Sequence, residues 1–140
     1  RSLKGFENAH ITRPGYAIEY DYFDPRGLTS FLQSKAFVNL FFAGQITGVE
    51  GYFESTCIGL LIAKFLNQKL NDQIFSAPPR DSALGSLLEA ITDTYREKNF
   101  QPTNINFGLV PPWPEDLKDK KEKKLNQIRR AQEALRSWIQ

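Results

Sequence analysis

Residues 44–52, "GQITGVEGY", place three glycines and one amide side chain between an apolar run and a run of helical period. Glycine lets a ligand come close to the backbone, and the first turn of a helix presents N–H groups with no partner inside the helix. Those groups stand at the positive end of the helix dipole, so such a turn can hold an anion or the polar part of a cofactor. Gln45 is a neutral amide that both donates and accepts, which suits the hydroxyls of a sugar-like chain. The spacing Gly-x-x-x-Gly-x-x-Gly differs from the dinucleotide fingerprint Gly-x-Gly-x-x-Gly, which occurs nowhere in the chain. A tight turn whose glycines only permit close packing satisfies the spacing equally well.

Other candidates for chemistry are few. Glu50 fits two roles, a cap on the following helix or a ligand-facing acid, because the dipole favours an acid there in either case. His10 has no cysteine or carboxylate cluster near it in sequence, so no metal site is expected. Near the C-terminus, Lys120, Lys121, Lys123, Lys124, Arg129 and Arg130 are expected to crowd the faces of a helix away from its apolar stripe, interleaved with Asp116, Asp119 and Glu122. Two readings stand: a solvated face, or an edge for RNA phosphates, where contacts fix position but not sequence. Arg13 and the aromatics of residues 16–22 are candidates for the same surface. The net charge of +2 makes no global case for nucleic acid, so any such case is local.

The elements that must position these residues follow from periodicity. Tyr16, Ile18, Tyr20 and Tyr22 alternate with Ala17, Glu19, Asp21 and Phe23, which predicts a strand between the turn signals Pro14-Gly15 and Asp24-Pro25. "AFVNLFFAG", residues 36–44, is apolar at nearly every position and predicts a second strand covered on both faces, as in a parallel sheet. From Tyr52 to Leu70 the period changes, with Ile58, Leu61, Ile62, Phe65 and Leu66 on one helical face. A proline-rich break puts a boundary near Ala77. A helix then starts after Pro79, capped by Asp81 or Ser82, with Leu84, Leu87, Leu88 and Ile91 on one side. Residues 99–116 read as an ordered loop with room for one short strand. The terminal segment is a helix striped by Leu125, Ile128, Leu135 and Ile139.

Composition supports a folded chain: 41% hydrophobic and 13% aromatic residues suffice for a core. One cysteine, Cys57, excludes an internal disulfide framework and fits a reducing, cytoplasmic setting. No run reaches the length of a membrane span. The sequence holds no methionine, so its first residue is expected to be a cut inside a longer polypeptide.

The wording of the motif goes further than its spacing. "NLFFAGQITGVEGYFES", Asn39 to Ser55, resembles the second FAD-contacting motif of the GidA (MnmG)–TrmFO family, flavoproteins that modify uridines in tRNA. In the folate- and FAD-dependent tRNA uracil-5-methyltransferase branch, Gly-Gln-Ile-Thr-Gly-Val-Glu-Gly-Tyr is nearly a signature. The wobble-uridine branch usually reads Gly-Gln-Ile-Asn-Gly-Thr-Thr-Gly-Tyr there. "PPRDSALGSLLEAITD", "NFQPTNINFGLVPP" and "KDKKEKK" also resemble the methyltransferase branch, while "GFENAHITRPGYAIEYDYFDPRGL", Gly5 to Leu28, resembles the wobble branch.

This resemblance implies an α/β fold: residues 1–76 as the C-terminal part of a Rossmann-like FAD-binding domain, and residues 77–140 as a mainly helical extension ending in a basic amphipathic helix. It implies FAD, with methylenetetrahydrofolate as carbon donor and NAD(P)H as reductant, and tRNA as partner. Gly44 and Gln45 would line the ribityl and phosphate region. Thr47, Gly48, Val49, Glu50, Gly51 and Tyr52 would bring backbone N–H groups to the pyrimidine end of the flavin. Cys57 falls where the family has a small residue, so it is expected to be a packed side chain and not a nucleophile. The family's catalytic cysteines lie upstream, so the chain by itself is expected to show no turnover. A non-catalytic RNA- or protein-binding module on the same fold is the alternative from a different class.

Overall fold

The sharpest sequence pattern becomes helix α1, Tyr52–Leu70. Its Ile58, Leu61, Ile62 and Phe65 are buried, and each such side chain removed from water contributes about 1.5–3 kcal/mol. The chain, seen here in a computed structural model that describes residues 3–15, 19–92, 100–115 and 118–140, builds one core around these four. Leu28, Leu32 and Val49 join it from upstream, and Leu87, Leu88 and Ile91 from helix α2, Ala83–Thr92. The core therefore draws on residues from both sides of Ala77. Phe65 meets Phe31 edge-on at 5.1 Å between ring centroids, and Phe75 lies 5.8 Å away.

Helix α2 starts as its capping chemistry requires. Ser82 Oγ accepts the Gly85 N–H at 3.0 Å and donates to Pro79 O at 2.7 Å. Helix α3, Lys120–Ile139, begins behind Asp119, whose Oδ1 accepts the N–H groups of Lys121 and Glu122 at 2.8 and 3.4 Å. Its far end is pinned where Trp138 Nε1 donates to Ser76 Oγ at 2.9 Å and Lys64 Nζ stands 4.3 Å over the Trp138 ring.

The expected strands are not found, and the α/β, Rossmann-like reading of residues 1–76 is overturned. Among the described residues there is no strand, only the isolated bridges Leu28↔Ser34, Gln33↔Phe41 and Val49↔Thr103. Residues 16–18 of the first expected strand lie outside the described residues; Glu19 to Phe23 form no strand. The second expected strand folds back on itself instead of extending. Ser34 Oγ accepts from Ala36 N at 3.2 Å and Phe37 N at 3.1 Å, and Ser34 N donates to Leu40 O at 2.8 Å. A serine that offers its hydroxyl to the next N–H groups gives the backbone a turn in place of a ladder. Phe37, Val38 and Leu40 are left exposed, where a two-sided sheet position would have buried them.

Two faces also differ from expectation. The outward side of α1 is apolar too, with Tyr52, Phe53, Leu60, Leu66 and Leu70 exposed, and Cys57 is exposed there and not packed. Helix periodicity finds the buried face of α1 but says little of the outer one, because apolar residues there stand among Thr56, Lys64 and Asn67. On α3 the stripe of Leu125, Ile128 and Ile139 is only partly covered. No helix among the described residues is long and apolar enough to cross a membrane.

Candidate functional site

The glycine turn is a single 3-10 turn, Gly44–Thr47, joined to α1 by residues 48–51. Gly44, Gly48 and Gly51 have φ of 75°, 86° and 91°, the left-handed region where side chains with a Cβ are strained. Gly48 closes the 3-10 turn by donating its N–H to Gln45 O at 3.0 Å. Gly51 is the N-cap of α1 and provides no side-chain cap, so the N–H groups of the first turn keep their donors for another acceptor.

A loop braces the turn from the other side. Thr103 N donates to Gly48 O at 3.1 Å and Glu50 N donates to Thr103 O at 2.9 Å, forming the parallel bridge. Phe100 lies over Gly48, and Tyr22 packs on Phe100 at 5.4 Å. Glu54 Oε1 accepts the Ile105 N–H at 3.3 Å, so the acid of the first helical turn is spent on the brace.

The residues expected in the motif separate into two groups. Thr47, Gly48 and Val49 are buried, with Thr47 Oγ1 donating to Gly44 O at 2.7 Å and both backbone groups of Gly48 bonded within the chain, so they brace the turn. Gln45, Gly51 and Tyr52 are exposed, and Gly44 and Glu50 half-buried, so these can meet a ligand directly. Glu50 does not cap α1. Its Oε1 accepts the hydroxyl of Tyr20 at 2.7 Å, across 30 residues of sequence.

Tyr20, which the sequence places in a strand or on an RNA surface and not at the turn, is a site residue that sequence reasoning missed. It reaches the turn because Phe23 N donates to Ile46 O at 2.7 Å, which lays the segment alongside residues 44–47. No spacing rule links positions so far apart. The hydrogen bond to Glu50 raises the Tyr20 pKa above its ordinary value of 10.0; burial and the Glu50 charge add to this, while the Gln45 amide pulls the other way. The folded state thus holds the phenolic proton more tightly than the unfolded chain. The pair's contribution is fully present below about pH 10 and is lost as pH rises through the elevated folded value. Tyr20→Phe is expected to flatten this alkaline limb, read as the urea midpoint against pH.

The expected basic residues differ in exposure and partners. Lys120, Lys121, Lys124 and Arg129 are exposed on α3, Lys123 is half-buried, and Arg13 is exposed far upstream in sequence. Arg130 is turned inward: it donates to the carbonyls of Pro111 and Pro112, sits 5.8 Å from the Trp113 ring, and has its Nε 3.4 Å from Asp81. No group of three or more His, Cys, Asp and Glu that could hold a metal occurs among the described residues.

Three left-handed glycines leading into an uncapped helix, with a clamped carboxylate beside it, have the geometry of a ligand-holding turn. The chain belongs to the GidA–TrmFO family: the model of glucose inhibited division protein A (GIDA) matches residues 1–73. Among its relatives is methylenetetrahydrofolate--tRNA-(uracil-5-)-methyltransferase TrmFO of Bdellovibrio bacteriovorus, 54% identical over 140 residues, covering 99% of this chain and 32% of the relative. Proteins with the same description from Zymomonas mobilis and Syntrophus aciditrophicus are 43% and 42% identical, each over 99% of this chain and 31% of the relative. The chain spans about a third of the length of the curated relatives it matches.

Proposed function

We propose that this chain forms the flavin-holding turn of an FAD-dependent tRNA uridine C5-modifying enzyme, and that the enzyme is a methylenetetrahydrofolate-dependent tRNA uracil-5-methyltransferase. One observation carries the reading: the start of α1 is uncapped, is entered through left-handed Gly51, and is flanked by Gln45 and the Tyr20-bound Glu50. Those donors and acceptors fit the polar groups of FAD. Identity of 54% to a methyltransferase over 99% of the chain favours that branch over the wobble-uridine branch.

In this reading Gly44 and Gln45 hold the ribityl and phosphate region. The N–H groups of Gly48 and Glu50 are held by Gln45 O and Thr103 O, and Val49 is buried. Of the expected donors over Gly48 to Tyr52, those of Gly51 and Tyr52 are therefore the ones left to face the pyrimidine end of the flavin, in a dipole that favours electron-rich atoms. When bound, the flavin supplies the reducing equivalents, drawn from NAD(P)H, that turn the carbon donated by methylenetetrahydrofolate into a methyl group. Thr47 and Val49 keep the turn rigid by burial, and Tyr20 keeps Glu50 from swinging back to cap the helix. Lys120, Lys121, Lys123, Lys124, Arg129 and Arg13 bear on the phosphates of tRNA in the cytoplasm, with Arg130 holding α3 in place.

The apolar outer face of α1 packs against the rest of a polypeptide about as long as the relatives. The 140 residues alone carry no turnover. Mass spectrometry of tRNA nucleosides from cells lacking the gene tests the assignment: loss of 5-methyluridine is expected. Intact 5-methyluridine with loss of a wobble-uridine side chain would reassign the enzyme to the other branch.

A further inference from the structure

Between α3 and the loop after Thr103 lies a cavity of about 340 Å³, with Ile105, Phe107, Val110, Gln127, Ala131 and Leu135 in its wall. Its size falls in the range of small-ligand sites, ~300–1,000 Å³. The wall is apolar apart from amides. Gln127 is only 7% exposed and spends an amide hydrogen on Pro111 O at 3.1 Å, so its Oε1 is an acceptor held inside the wall. Gln132, exposed at the rim, adds a donor and an acceptor. Phe107 gives a half-exposed aromatic face, and Lys124 Nζ stands 5.1 Å from its ring centroid.

Charge around the cavity is sorted by helical period. At ~100° per residue, Lys120, Lys121 and Lys124 continue the stripe of Ile128, Ala131 and Leu135 that faces the cavity. Glu122 and Glu133 fall on the opposite side of the helix. An alternation that looks neutral in sequence therefore becomes a positive rim on the cavity's face of α3, one to two turns N-terminal of the lining residues.

The geometry points to a pocket for one unpaired nucleobase of RNA, stacked on Phe107, hydrogen-bonded by Gln127 and Gln132, and flanked by phosphates on Lys120, Lys121 and Lys124. A base has a π-face and a polar edge together, and its backbone carries the negative charge that the rim matches. An apolar protein side chain would leave the buried amide unmatched and make no use of the lysines. The inference rests on the RNA-modifying reading above and adds to it a place where the RNA is gripped away from the flavin turn.

The test uses the native polypeptide that contains this chain and an RNA hairpin with 2-aminopurine at an unpaired loop position. Binding with quenching of the 2-aminopurine is expected. Ala131→Trp, which fills the cavity, weakens binding about tenfold and removes the quenching, while the salt dependence keeps its slope. Lys121→Ala instead lowers that slope by about 1. Phe107→Leu keeps apolar volume at a half-exposed position and also loses the quenching, which guards against misfolding of the tryptophan variant. If both pocket variants bind and quench as the wild type does, the pocket takes no base and the proposal is overturned. If the wild type binds no RNA, the RNA-modifying reading falls together with the pocket.

Discussion

Gly48→Ala is expected to weaken FAD binding by the native polypeptide at least about 100-fold, equivalent to ~2.7 kcal/mol, with a large loss of stability. Two penalties act at one atom. The backbone there has φ of 86°, and a Cβ in the left-handed region costs about 1–2 kcal/mol. That Cβ would also lie 2.5 Å from Phe100 Cε1 and closer still to its Cζ, so the ring must leave its place. Overpacking of this kind costs a further ~1–3 kcal/mol. Moving Phe100 disturbs the Thr103 hydrogen bonds to Gly48 and Glu50, and with them the aim of the N–H groups that follow. Gly44→Ala provides the scale. It carries a φ of 75° but meets nothing nearer than 3.8 Å, so its effect is expected to be about tenfold smaller. Isothermal titration with FAD and urea unfolding measure both quantities. Equal behaviour of the two variants would remove Phe100 from the site.

The second large effect reverses a rule. Gly85 lies in α2, where replacing glycine by alanine ordinarily stabilises by roughly 0.5–1 kcal/mol. Here the added Cβ would be 2.5 Å from the carbonyl carbon of Pro79, nearer still to its oxygen, and 2.7 Å from Pro78 O. These are backbone atoms, and they are held: Pro79 O accepts from Ser82 N at 2.9 Å and from Ser82 Oγ, while Ser86 Oγ fixes Arg80 O at 2.6 Å. Neither side can yield without undocking α2 from the core through Leu87, Leu88 and Ile91. Gly85→Ala is therefore expected to destabilise by about 3 kcal/mol. A stabilised variant would show that α2 does not sit against the two prolines.

What could be read from sequence was local, and what could not was long-range. The span of α1, a cap at Asp81 or Ser82 (the structure uses Ser82) and the core face Ile58–Phe65 follow from the 3.6-residue period and capping chemistry, which act within a few residues. The strand expected over residues 36–44 failed because an apolar run states burial without saying which backbone partner exists. Ser34, six residues before Leu40, decided the matter by making a turn. In the site, the glycines and Gln45 were visible as a pattern. Tyr20 was not, because its contact with Glu50 depends on the Phe23–Ile46 hydrogen bond that brings the segments side by side. The rim on α3 was hidden for a third reason: lysines and acids interleaved in sequence separate only when wound into a helix.

The most direct measurement of the central claim is the visible absorption spectrum of the native polypeptide that contains this chain, purified gently and then supplied with FAD. The expected result is a yellow protein with flavin bands and stoichiometric FAD, and a colourless one when Gly48 is replaced by alanine. A colourless wild-type protein that takes up no FAD would contradict the assignment of the glycine turn to flavin binding.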